Sequence, residues 1–110
     1  MPDADADVRA LVRELASGPA TAVPDEHAKG NMMSWRITTS DVLDAVCEAI
    51  DQGARLKQTT VKTHPPGLVG QPAYEIKPLI DGRRFYVRLA VFEPSVGRKA
   101  LLLLSVHLDV

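Results

Sequence analysis

Cysteine is almost missing from this chain of 110 residues: Cys47 is the only one. A disulfide framework and a cysteine-based zinc site are therefore excluded, and this usage suits a reducing compartment. Cys47 falls in a helical pattern beside Val46 and Ile50, where a small buried hydrophobe is the ordinary reading. Aromatic residues are scarce as well, with one Trp, two Tyr and two Phe scattered along the chain. Trp35 and Phe92 thus read as core residues, and binding of single strands by base stacking is disfavoured. The longest apolar run, Ala100–Leu104, is the size of a strand, far short of the ~20 residues of a transmembrane helix. Met1–Asp7 is acidic, unlike a secretory signal, so a cytoplasmic protein away from membranes is expected. His27, His64 and His107 have no paired ligand spacing, and neither metal nor cofactor is expected. A Gly-rich phosphate loop is absent, and the serines lack a nucleophile-elbow context.

What remains is ordinary globular material. A hydrophobic fraction of 45% with 25% charged residues predicts one domain over residues 1–110. The net charge of -1 hides a division. Residues 1–52 carry four Lys or Arg against ten Asp or Glu, a net of -6, and residues 53–110 carry nine against four, a net of +5. A basic second half suits a phosphate-binding surface, although charge segregation also occurs without any ligand.

Val8, Leu11, Val12 and Leu15 recur at i, i+3, i+4 and i+7, which predicts a helix over Asp5–Ala16 closed by Gly18-Pro19. Ala20–Val23 reads as a short connection, and Pro24 suits the first turn of a second helix ending near Ser34. Thr38 and Asp41 form a capping box for a third helix, whose stripe is Val42, Leu43, Val46 and Ile50 and whose stop is Gly53. Beyond Gly53 the period changes. Arg55–Val61 reads as an edge strand, followed by a Pro- and Gly-rich loop containing His64.

Asp81-Gly82 between two alternating runs is a strong signal for a two-residue hairpin turn. That turn sets Ile80 opposite Arg83, Lys77 opposite Tyr86 and Glu75 opposite Arg88, with Ile76, Val87, Tyr74 and Leu89 on the other face. The last strand, Ala100–Leu108, follows a loop over Pro94–Lys99. Strict alternation sends Leu102, Leu104, Val106 and Leu108 to the apolar face, leaving Leu101, Leu103, Ser105 and His107 opposite. Pairing Glu93 with Ala100 puts Arg88 beside Ser105 and Tyr86 beside His107. The expected architecture is α+β, with N-terminal helices packed on one face of a four-stranded antiparallel meander sheet.

His27-Ala28-Lys29, Met32, Arg36-Ile37-Thr38 and Asp41-Val42 fall at a familiar spacing. The pattern resembles the His-Ala-x-x-Arg-Met-x-x-Arg-Gly-Ile-Thr-x-x-Asp-Val signature of small bacterial toxin-related domains. Those domains are related to the RelE-like and BrnT-like toxins of the barnase, EndoU, colicin and RelE ribonuclease superfamily. Asn31 stands where the pattern has arginine, and Trp35-Arg36 replaces Arg-Gly. The resemblance covers residues 24–110 and leaves the helix of residues 1–19 outside. It implies a metal-independent endoribonuclease, a toxin with a cognate antitoxin or immunity protein as partner.

Metal-free RNA cleavage needs a group to take the 2′-OH proton, cations for the phosphorane charge and a donor for the leaving oxygen. Under the resemblance, His107 or His27 moves protons, Lys77 and Arg88 bind phosphate, and Tyr86 positions or donates. Arg83, Arg84, Ser105 and Lys29 are the further RNA contacts. A charged sheet face is equally the ordinary solvated surface of an antiparallel sheet, and a helix histidine such as His27 is commonly a surface residue. A non-catalytic binding module on the same scaffold is the alternative.

Overall fold

Asp81 and Gly82 both hold positive φ, 55° and 76°, the pair of left-handed conformations that a two-residue hairpin turn requires. Ile80 pairs with Arg83 across that turn, and Ile76–Val87, Glu75–Arg88 and Tyr74–Leu89 follow in the expected register. A computed structural model describes residues 3–18, 22–63 and 65–109. In chain order the elements are α1 (Ala6–Ala16), β1 (Ala22–Pro24), α2 (Glu26–Ser34), α3 (Thr39–Asp51), β2 (Lys57–Thr60), β3 (Pro72–Ile76), β4 (Leu79–Ile80), β5 (Arg83–Ser95) and β6 (Arg98–Leu108). Pro19 as a helix stop, and His64, lie outside the described residues.

Among the described residues the domain is α+β, with three α-helices and a six-stranded mixed sheet ordered β1-β6-β5-β3-β2, β4 pairing with β5. The four expected antiparallel strands are the contiguous run β6-β5-β3-β2, and β2 is indeed an edge. Pro78 splits the first hairpin arm into β3 and β4, because it has no N–H to give the ladder; its carbonyl still accepts from Phe85 at 2.9 Å.

The simple meander needs correcting at β1. Ala22–Pro24, read as a connection and a helix start, runs parallel to β6 with Ala22 opposite Leu101 and Pro24 opposite Leu103. Pro24 is tolerated there because the strand is an edge. The backbone N–H of Asp25 extends the pairing to Leu103 O at 2.9 Å, so α2 begins only at Glu26.

The other two helices start as their sequences dictate. Asp5 accepts a hydrogen bond from Val8 N at 2.9 Å and caps α1. Thr38 and Asp41 close a capping box on α3 at 3.1 and 2.8 Å, and Gly53 ends the helix region at φ 84°. Arg9 reaches the carbonyls of Ile50, in the last turn of α3, and of Ala54 just beyond it, and Arg13 grips Asp51 through two 3.0 Å bonds. That guanidinium holds the Asp51 carboxyl below the usual carboxylate range. Although α1 lies outside the toxin-like signature, it is part of the same core: Val12, Leu15 and Ala16 are buried with Val42, Leu43 and Val46 of α3. Cys47 is half-buried, and burial pushes its thiol pKa up. Trp35, expected in the core, is 38% exposed; its ring sits edge-on to Phe85 at 5.7 Å.

Between β5 and β6 two irregularities cancel. Tyr86 pairs with His107 and Arg88 with Ser105 as expected, but Phe92 rather than Glu93 faces Ala100. Register shifts lie between Arg88 and Leu89 and between Phe92 and Ser95. The first leaves Leu104 as an extra residue on β6, and the second leaves an extra residue on β5. The expected loop Pro94–Lys99 tightens to the turn Val96-Gly97, with Gly97 at φ 77°.

The first bulge reverses the alternation of β6. Val106 faces the helices, but so do Leu101 and Leu103, both fully buried in the main core. Leu102 and Leu104 lie on the other face, packed with Val61, Ala73, Ala90 and Leu68 in a small second core. Strict alternation had exchanged these two pairs. The second core covers part of the outer face and leaves the rest polar.

Candidate functional site

The polar part of the outer face follows from register. Lys57, Glu75, Arg88 and Ser105 are successive cross-strand partners from β2 through β3 and β5 to β6, and Tyr86 and His107 form the next rung. Thr59 and Lys62 complete the wall of an open groove of about 410 Å³ that also contains Glu75, Tyr86, Arg88 and His107.

Tyr86 organises it. Its ring stacks on the His107 imidazole with centroids 4.8 Å apart and planes 18° apart. Its hydroxyl donates to Glu75 Oε1. Partial burial, then the bond to Glu75 and its negative charge, push the phenol pKa well above the ordinary tyrosine value. Tyr86 consequently stays protonated at physiological pH and acts as a donor, never as a base.

His107 Nδ1 lies 3.2 Å from the carbonyl oxygen of Leu108. A carbonyl can only accept, so the contact is a hydrogen bond in the tautomer with the proton on Nδ1, and Nε2 has no hydrogen-bond partner among the described residues. Arg88 does not pair with Glu75 despite facing it; Nη2 donates to Thr60 O at 2.7 Å and ties β5 to β2 across β3. Glu75 keeps Oε2 without a hydrogen-bond partner among the described residues.

Of the expected site residues, the groove gathers Tyr86, Arg88, Ser105 and His107. Lys77 sits at the end of β3, its ammonium 3.6 Å from Asp109, outside the groove. Arg84 Nη1 donates to Lys77 O at 2.8 Å. Arg83 turns to the helix side and lies over the Trp35 ring, 5.2 Å from its centroid. His27 and Lys29 are exposed on α2. That helix buries Ala28 and Met32 against the core-facing side of the sheet, so His27 and His107 lie on opposite sides.

Sequence reasoning left Glu75 out of the site and missed Thr59 and Lys62. The signal for Glu75 was present in the hairpin register, which set it opposite Arg88; the diagonal bond from Tyr86 is what brings it into the groove. Thr59 and Lys62 join only because β2 pairs with β3. Among the described residues, no group of three or more His, Cys, Asp or Glu is placed to hold a metal ion, and no helix is long and apolar enough to cross a membrane. Comparison with family models, curated proteins and solved structures gives no match.

Proposed function

We propose that the chain is a metal-independent endoribonuclease, a toxin of a bacterial toxin–antitoxin or related system. The observation that carries the reading is the stacked Tyr86–His107 pair with Glu75 and Arg88 in one groove. The likeness of His27–Val42 to the RelE/BrnT-type signature supports it independently.

Cleavage in this groove needs only these side chains. Glu75 Oε2 takes the proton of the ribose 2′-OH, whose oxygen attacks the adjacent phosphorus. The P–O5′ bond breaks, the 5′-oxygen takes a proton from Nε2 of His107 in its imidazolium form, which becomes neutral, and a 2′,3′-cyclic phosphate remains. Arg88 and Lys62 stabilise the phosphorane charge. Tyr86 is a positioning residue that holds both the carboxylate and the imidazole. His27 lies too far round the sheet to share this work. The partners of this function are an RNA substrate and a cognate antitoxin or immunity protein, meeting in the cytoplasm.

One observation favours the rival, a non-catalytic binding module: Arg88 and Tyr86 already spend hydrogen bonds on Thr60 and Glu75. The deciding experiment incubates purified protein with RNA and excess chelator and looks for 2′,3′-cyclic phosphate ends. Cleavage lost in His107→Ala upholds the ribonuclease. No cleavage by the wild type moves the function to binding, and full cleavage by the variant removes His107 from the chemistry.

A further inference from the structure

A second cavity, of about 380 Å³, opens at the end of the sheet where β3 stops at Ile76. Arg55, Lys57, Lys77 and Arg84 ring it against two carboxylates, Glu75 and Asp109. Half-buried Ala54 supplies a small apolar wall, and Ile76, which also borders the cavity, is buried in the main core. Arg55 is engaged by Asp3 and Lys77 by Asp109. Lys57 has no ion-pair partner among the described residues. The cavity therefore has cationic charge to spare beside an apolar surface.

Its relation to the groove is fixed by one residue. Glu75 lines both cavities and is the cross-strand partner of Lys57 on one side and Arg88 on the other. A ligand in either cavity is therefore beside the same carboxylate. A ligand for the second cavity must bring an anionic group for its rim and a flat apolar face for its wall. A nucleotide within a single strand brings both.

We propose that this cavity is a subsite for a nucleotide flanking the scissile phosphate, with Lys57 and Arg84 holding its phosphate and Ala54 meeting its base. The proposal rests on the ribonuclease reading and extends it to the substrate: a single-stranded RNA gripped beyond the bond that breaks. Contacts of this kind fix the position of a strand without reading its sequence.

The test compares a minimal cleavable oligoribonucleotide with versions extended by one nucleotide on either side. Wild type is expected to show a lower KM for one of the extended substrates. In Lys57→Gln and Arg84→Gln the ratio of the two KM values collapses toward one, whatever the base. The slope of log affinity against log salt becomes shallower by about 0.7 for each phosphate contact removed. Arg98→Gln, which removes an equal charge from the far hairpin, keeps the wild-type ratio and slope. An undiminished ratio in both cavity variants, or an equal loss in Arg98→Gln, overturns the subsite. If no RNA is cleaved at all, fluorescence anisotropy with a 2′-O-methyl RNA separates the two ideas. Binding weakened by Lys57→Gln and Arg84→Gln but not Arg98→Gln upholds the subsite while catalysis falls; no binding ends both.

Discussion

Tyr86 lies nearly parallel to His107, with ring centroids 4.8 Å apart, and the same tyrosine gives its hydroxyl proton to Glu75. Tyr86→Phe keeps the stack and removes only the hydrogen bond. It should lower the unfolding free energy by about 1 kcal/mol and reduce cleavage less than His107→Ala does. Urea titration and single-turnover cleavage measure the two effects. Activity as low as in His107→Ala would make Tyr86 a chemical participant, contrary to its positioning role.

His107→Ala should lower the cleavage rate by ~10²–10⁴-fold, the usual contribution of a proton-transfer group. The side chain is exposed, so loss of the stack should cost only about 1 kcal/mol. His27→Ala should cleave at the wild-type rate, because α2 lies across the sheet from the groove. Equal loss in the two variants would place the chemistry elsewhere.

Tyr86 and Tyr74 both have phenols whose pKa is raised, first of all by burial. The folded state therefore holds these protons to higher pH than the unfolded chain, which releases them near pH ~10. The contribution of these two tyrosines should be level below about pH 10 and fall above it as the unfolded state gains the more favourable ionisation. Denaturant midpoints across that range give the slope, and Tyr86→Phe should make it shallower. A slope unchanged in Tyr86→Phe would leave Tyr86 without a part in the effect.

Leu103 tests the bulge at Leu104. Because the alternation reverses there, Leu103→Ala should open a cavity in the main core and cost ~2–5 kcal/mol. Leu102→Ala, trimming a half-buried side chain of the small second core, should cost only about 1 kcal/mol. The opposite order in thermal or urea unfolding would mean that β6 keeps strict alternation.

Gly82→Ala should destabilise by ~1–2 kcal/mol, since its φ of 76° is left-handed. Gly30→Ala gives the control. Nothing lies within 4 Å of an added Cβ in the middle of α2, so that change should stabilise by ~0.5–1 kcal/mol. Equal effects of the two would remove the turn from the explanation of the hairpin.

Local chemistry was enough for much of this protein. The stripe Val8, Leu11, Val12 and Leu15, the Thr38–Asp41 box and the Asp81-Gly82 turn are each local in the chain, so α1, α3 and the first hairpin were legible. The hairpin register already placed Glu75 opposite Arg88 and Tyr86 near His107. What it could not supply was the use those groups make of one another: the diagonal Tyr86–Glu75 bond, and the Arg88 guanidinium diverted to Thr60 O on another strand.

The same division separates period from position. Alternation is a property of the sequence and correctly gave a polar and an apolar face to β5. On β6 a single extra residue exchanged Leu101 and Leu103 with Leu102 and Leu104, and five neighbouring apolar residues contain nothing that marks where the bulge falls. Ala22–Pro24 is likewise too short to announce a strand; it becomes one because β6, nearly eighty residues later, offers it a free edge. Turns and caps were written in the sequence because they are settled by neighbours in the chain. Bulges, the parallel edge and the meeting of the groove's side chains were left to tertiary structure, because their energies come from residues the chain brings together only on folding.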